Sequence, residues 1–385
     1  MSNITILATA LVRDKAGNII KEINFPIKEN EAYVTRSLSD ESGRIVAVEK
    51  RPMRSFVYNF TKFLYGAMTG ESQTFLYTSG SDGTVHPKYI DVLTVDTTNA
   101  NHGIWVGEDD GDSTPLSPDN FTLGDRILHG ESAGELSHDT GFVEESTLDV
   151  QQYYVRLARR INNYTDAAIE VKEMGVVGLG SDGSYILYIR DLFDDSGTPF
   201  LEEIPINNSL YIAYDFYIVK DSGYTKNLIK ILEGLFSADE TVALLDIAGS
   251  EITAASADVI NEMLLCNVAS GEDNYGIVIG NGAGETDFDS LGLISKISNG
   301  TNAGELSYGD MILTSPSHQS GQQQFKLSRV FTNNTDAIIP TSEIALYGAG
   351  TGAGHRACFA RIDTIGVPVL VGGTVEIIFT IRTLI

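Results

Sequence analysis

The chain has 385 residues, 42% of them hydrophobic and 9% aromatic, enough for two or three domains with their own cores, which excludes a largely disordered protein. Its 26 Lys and Arg against 52 Asp and Glu give a formal net charge of −26, which repels a phosphate backbone and argues against sequence-independent nucleic-acid binding. The two cysteines, Cys266 and Cys358, both lie in the second half of the chain with no counterpart in the first, so a disulfide framework or zinc site is not part of any design the two halves share.

The first apolar run, 4–12, has no basic region before it and is too short to span a bilayer, and no other stretch approaches 18 apolar residues. The expectation is a protein made in the cytoplasm and not secreted. Triplets such as Asn163-Tyr164-Thr165 then read as turns rather than glycan acceptors. ITILATALVRD and NIIKEINFPI flank Lys15-Ala16-Gly17-Asn18, which predicts a β-hairpin arm over 1–54, with docking on a neighbouring subunit as the alternative. The basic patch Lys50-Arg51-Pro52-Met53-Arg54 reads as a solvated linker into the next element, or as a contact for an acidic partner subunit.

A helix is predicted next, with Phe56, Phe60, Phe63 and Leu64 on one face and Gly66 near its end. Leu228, Ile231, Leu232 and Leu235, with Gly234, repeat that pattern 168 residues later. The recurrence runs along most of the chain. GIWVG (103–107) answers GIVIG (276–280), and HGESAGELS (129–137) answers NGTNAGELS (299–307). RLARRINNYTDAAI (156–169) answers KLSRVFTNNTDAII (326–339) with seven identities in fourteen positions, where about one is expected by chance. Glu173 and Glu343, Gly178 and Gly348, and Arg190 and Arg361 continue the match. Two copies follow, 55–220 and 221–385.

Between these landmarks the pattern has period two and is rich in β-branched and aromatic residues, as in YYVRLARRI, YILYIRDLF and LYIAYDFYIV. Short alternating segments broken by Gly, Asn and Asp predict a mainly β protein. The specific expectation is two tandem antiparallel β-sandwich domains, each opened by a short amphipathic helix. Arg159 and Glu173 flank Asp166 symmetrically, as Arg329 and Glu343 flank Asp336. Taking Asn-x-Thr-Asp-Ala as a hairpin turn predicts a cross-strand Arg/Glu pair in each copy.

No candidate active site survives this reading. Gly280-Asn281-Gly282-Ala283-Gly284 lacks the lysine ending of a phosphate loop and follows no βαβ unit. Glu108-Asp109-Asp110-Gly111-Asp112 offers oxygens to calcium, but without EF-hand spacing and without a counterpart in copy two. Asp194-Asp195 and Glu202-Glu203 do not recur, so a glycosidase pair is disfavoured. The six histidines, His86, His102, His129, His138, His318 and His355, show no metal-ligand spacing, and no nucleophile elbow is present. The expectation is therefore a non-enzyme with no catalytic, cofactor-binding or metal residues and no cofactor. The acidic excess keeps a large assembly component soluble, or lines a surface past which DNA slides.

GIVIGNGAG (276–284), NGTNAGELSYGD (299–310), LSRVFTNNTDAIIPTSEIALYG (327–348), FARID (359–363) and VPVLVGGTVEIIFTI (367–381), in this order, resemble a domain of structural proteins of tailed bacteriophages. The same series, more diverged, covers copy one, which reads GVVG (175–178) where the family pattern ends in Gly-Leu-Tyr. The resemblance implies a virion structural protein that assembles as a homo-oligomer in the tail, neck or capsid surface. Its partners would be itself and other virion proteins. The alternative is a receptor- or carbohydrate-binding fibre or decoration module, with Trp105, Tyr211 and Tyr217 stacking on a host surface glycan. An enzyme acting on a bacterial surface polymer ranks third.

Overall fold

The computed structural model describes residues 4–25, 32–42, 44–52, 56, 58–80, 82–85, 90–91, 101–109, 117, 119–149, 152–180, 183–192, 203–219, 224–236, 241–255, 263–284, 289–319, 322–349 and 355–384. The protein is mainly β, with 52% strand against 8% helix in several antiparallel sheets. The first 52 residues supply β1 (Ile4–Arg13), β2 (Ile19–Phe25), β3 (Ala32–Ser39) and β4 (Ile45–Pro52). Copy one begins with α1 (Tyr58–Thr69), β5 (Gln73–Leu76), β6 (Asp82–Val85), β7 (Ile90–Asp91) and β8 (Gly103–Gly107). It continues with β9 (Ser137–His138), β10 (Phe142–Asp149), β11 (Gln152–Asn162), β12 (Ile169–Glu170), β13 (Glu173–Gly180), β14 (Tyr185–Leu192), β15 (Glu203–Ile204) and β16 (Ser209–Val219). Copy two is α2 (Lys226–Phe236), β17 (Thr241–Leu245), β18 (Glu251–Ala255), β19 (Gly276–Gly280), β20 (Ser307–Gln319), β21 (Gln322–Thr332), β22 (Ile339–Gly348), β23 (Ala357–Val369) and β24 (Thr374–Leu384).

Among the described residues each copy contributes to one large and one smaller sheet, beside the two-stranded pairs β5-β6 and β12-β15 in copy one and β17-β18 in copy two. The large sheets run β10-β11-β16-β3-β4, with β9 added on β11, and β20-β21-β24-β1-β2. The small sheets are β14-β13 with β7 and β8, and β19-β22-β23. The N-terminal strands are therefore two hairpins, not one, and each completes the large sheet of a different copy. β1 pairs with β24 from Ile4↔Thr383 to Arg13↔Thr374, and β3 pairs with β16 from Ser209↔Ser39 to Phe216↔Ala32.

The two hairpins are themselves a repeat. Asp14, Gly17, Ile19 and Pro26 recur 26 residues later as Asp40, Gly43, Ile45 and Pro52. Asp14 Oδ1 accepts the amides of Ala16 and Asn18, both at 2.9 Å, and Asp40 Oδ1 accepts those of Ser42 and Arg44, both at 3.0 Å. An aspartate closing its own turn in this way is a local signal that needs no tertiary support.

The helices tie the copies together reciprocally. α1 packs on its own β14 and on β20 and β21 of copy two, while α2 packs on its own β23 and on β10 and β11 of copy one. Each is preceded by a one-residue bridge to its own small sheet, Phe56↔Ile189 and Tyr224↔Ala360. α1 is covered on more than one face, with Asn59, Phe60, Thr61, Phe63, Leu64 and Tyr65 all buried, consistent with its single charged residue, Lys62. α2 keeps Lys226, Lys230 and Glu233 partly open to solvent, with Ile231 and Leu232 buried.

α1 runs past Gly66 and stops at Gly70, whose φ of 75° and amide bond to the Gly66 carbonyl (2.8 Å) close the last turn. Its exposed-looking polar groups are in fact a clasp on copy two. Thr61 Oγ1 donates to Gln323 Oε1 (2.5 Å) and lies 2.8 Å from Thr383 Oγ1, and Gln323 Nε2 donates to the Phe56 carbonyl (2.9 Å). All three side chains are fully buried. The main hydrophobic core accordingly runs without a break through residues of both copies.

Candidate functional site

On the small sheets both copies bury a carboxylate and an arginine as a pair. Glu173 on β13 and Arg190 on β14 are fully buried; Arg190 Nε donates to Glu173 Oε2 at 2.8 Å. The same guanidinium reaches Asp109 Oδ2 (3.3 Å) and Asn120 Oδ1 (3.2 Å), and Glu173 Oε1 accepts the Asp125 amide (2.9 Å). In copy two Arg361 Nε donates to Glu343 Oε2 at 3.2 Å and Arg361 Nη2 to Asp363 Oδ1 at 2.9 Å. Glu343 also accepts the amides of Gly282 (2.9 Å), Ile294 (2.9 Å) and Ser295 (2.7 Å). Each pair thus pins an irregular segment, 119–127 or 289–297, across its sheet. Those segments match at the same 170-residue offset, a correspondence that their weak strand pattern hides.

The expected partner of Glu173 is not Arg159, nor is Arg329 the partner of Glu343. β11 and β13 belong to different sheets, as do β21 and β22, so Asn-x-Thr-Asp-Ala is a corner between sheets rather than a hairpin turn. The corner is held by its asparagine. Asn163 Oδ1 accepts the Thr165 amide (3.0 Å) and Nδ2 donates to the carbonyls of Ala167 (2.8 Å) and Ile204 (2.7 Å). Asn333 makes the same three bonds to Thr335, Ala337 and Val369.

The two arginines are instead staples between large and small sheet. Arg159 Nη1 donates to the carbonyls of His102 (2.9 Å) and Ile104 (3.2 Å), and Arg329 Nη1 to those of Tyr275 (3.5 Å) and Ile277 (3.1 Å). Burial, with Arg126 nearby, pushes the Arg159 guanidinium down to about 10, and burial lowers that of Arg329 as well. Each remains charged at neutral pH and satisfied by carbonyl oxygens.

The residues set aside in the sequence fall as follows. In the 280–284 glycine segment the Gly282 amide is spent on Glu343, and Asn281 donates to the Ser295 carbonyl, so an internal carboxylate sits where a phosphate would be held. Asp109 is a buried partner of Arg190; Asp110 to Asp112, Asp194, Asp195 and Glu202 lie outside the described residues, as do Met53 and Arg54, while Glu203 is exposed on β15. Trp105 is buried under Arg126, whose guanidinium carbon lies 3.5 Å from the ring centroid, and Tyr217 is buried, so neither ring is open to a sugar. Tyr211 is half-buried and stacks on exposed Phe142 at 6.1 Å.

Among the described residues no three His, Cys, Asp or Glu side chains are arranged to hold a metal, and no helix is long and apolar enough to cross a membrane. A cleft of about 230 Å³ lies beside the start of α2, lined by Lys226, Lys230, Glu251 and Asp289 among others. It is smaller than the usual small-molecule pocket, and its charges are of both signs. Comparison with family models, curated proteins and solved structures finds no match to this chain.

Proposed function

We propose that the chain is a non-enzymatic structural protein of a tailed-bacteriophage virion. It would be built from two β-sandwich units and assemble as a homo-oligomer in the tail, neck or capsid surface. The observation that carries this reading is the use made of the duplicated polar groups. Glu173, Arg190, Glu343 and Arg361 are buried and bonded to one another and to their own loops, and Arg159 and Arg329 to backbone carbonyls. What recurs between copies is scaffold, with no pair left poised for acid–base work. The resemblance of the ordered motifs to those of phage structural proteins, a reading of the sequence alone, points the same way, and a net charge of −26 suits a component that must not adhere to nucleic acid.

Mass spectrometry and imaging of purified particles test the proposal. The chain is expected at stoichiometric copy number in a symmetric ring or shell; its absence from particles, together with a monomer at high concentration in solution, would overturn it. The second reading, a receptor- or carbohydrate-binding module, rests on the Phe142–Tyr211 pair alone and predicts saturable glycan binding lost in Tyr211→Ala.

A further inference from the structure

Copy one builds one of its internal joints from histidines where copy two uses groups that do not titrate near neutrality. In copy two the Tyr308 amide donates to Asn299 Oδ1 at 3.0 Å, and the buried Tyr308 hydroxyl donates to the Ile297 carbonyl at 2.6 Å. The residues 170 earlier are His138 and His129. The His138 amide donates to His129 Nδ1 at 3.0 Å, a bond that exists only while that nitrogen carries no proton. The two rings lie 5.6 Å apart. His138 is 5% exposed and neither of its ring nitrogens has a hydrogen-bond partner among the described residues. The position of Tyr275 is likewise taken by buried His102, whose carbonyl receives the Arg159 staple.

The charged and titratable groups acting on His138 come from each neighbouring element: Arg159 on β11, and Arg126 and His129 on the 119–130 segment. Arg159 acts on His102 as well. Arg159 and Arg126 are permanent cations; the carboxylate of Asp139 is the opposing charge on Arg159. In copy two the matching segment carries Lys296 paired with Asp273 at 2.9 Å, and Asp273 Oδ2 also accepts the Asn299 amide.

We infer that copy one contains an acid-triggered release: protonation of His129 and His138 breaks the joint between β9 and the 119–130 segment and loosens the Arg159 staple, while the corresponding joint of copy two stays closed. Burial and the nearby cations hold His138 down to about 3, against 6.5 for the free side chain. The unfolded or opened segment therefore binds more protons than the closed one between those values. The closed form is fully favoured above about pH 6.5 and loses that advantage as pH falls toward 3.

The test is hydrogen exchange followed by mass spectrometry on the full chain at about pH 7 and about pH 4.5, corrected for intrinsic exchange. Peptides covering 126–139 are expected to lose protection by at least about tenfold at the lower pH, while those covering 296–309 do not. His129→Asn with His138→Tyr, the residues of copy two, should abolish the loss. Asn299→His with Tyr308→His should transfer it to copy two. Equal protection of the two segments of the unaltered chain at the lower pH would overturn the inference whether or not either variant folds.

Discussion

In copy one the guanidinium of Arg190 lies between Glu173 and Asp109; in copy two that of Arg361 lies between Glu343 and Asp363. The second carboxylate has moved. Asp109 follows β8, where copy two has Gly282, and Asp363 stands on β23 at the register position of Leu192. A Cβ side chain at Gly282 would collide with the Glu343 carboxylate, because in copy two that carboxylate is wrapped by three backbone amides. Wrapping and a second acid in that place are mutually exclusive, and each copy has taken one solution. The lesson is that the requirement is neutralisation of a buried arginine, while the position of its second partner is free to vary.

The largest effect on this comparison should come from removing one copy. A chain ending at residue 220 leaves α1 without β20 and β21, strips the Tyr65 ring of Phe325, an exposure of roughly 1.5–3 kcal/mol, and is expected to lose cooperative folding. A protease site inserted between Val219 and Tyr224 of the full chain should leave the two halves co-eluting after cleavage; halves that separate as folded monomers would show that the reciprocal helices are dispensable.

Next, Glu343→Ala and Glu173→Ala should each cost about 3–5 kcal/mol in urea unfolding, with the Glu343 change the larger by about 1 kcal/mol because it strands three amides rather than leaving one short. A reversed order would mean that wrapping contributes less than the arginine pair. Asp215 on β16, 1% exposed, accepts from Arg156 at 2.6 and 3.0 Å, whereas the paired positions in copy two are Lys326 and Thr380. Asp215→Asn should cost about 1.5–3 kcal/mol and Thr380→Val less than about 0.5, measured as shifts in the denaturant midpoint.

Thr61→Val should cost about 1–2 kcal/mol by leaving Gln323 Oε1 and Thr383 Oγ1 short of a partner, and a cycle with Gln323→Leu should show non-additivity, because both residues belong to one buried hydrogen-bonded cluster. Smallest is Lys296→Ala, whose partly exposed pair with Asp273 is worth less than about 1 kcal/mol and fades with salt.

Much of this was written locally. Period-two segments and their punctuation specify a mainly β chain, and the repeat marks Glu173 with Glu343 and Arg190 with Arg361 as corresponding positions of the two copies. Asp14 and Asp40 show that the arm is also duplicated, a signal carried in the sequence by only four matching residues. What local pattern leaves open is which strands meet. Arg159 and Glu173 sit symmetrically about a turn-forming segment, yet the Asn163 bonds turn that segment into a corner, sending the two strands into different sheets.

The sequence by itself determined a mainly β chain and its twofold repetition, because backbone propensity and apolar period act over a few residues. Only the tertiary structure decided that Glu173 meets Arg190, that α1 serves copy two as well as its own, and that the two N-terminal hairpins go to different sheets. Those choices depend on which apolar faces and unpaired strand edges become neighbours in space, a condition set jointly by residues far apart in the chain.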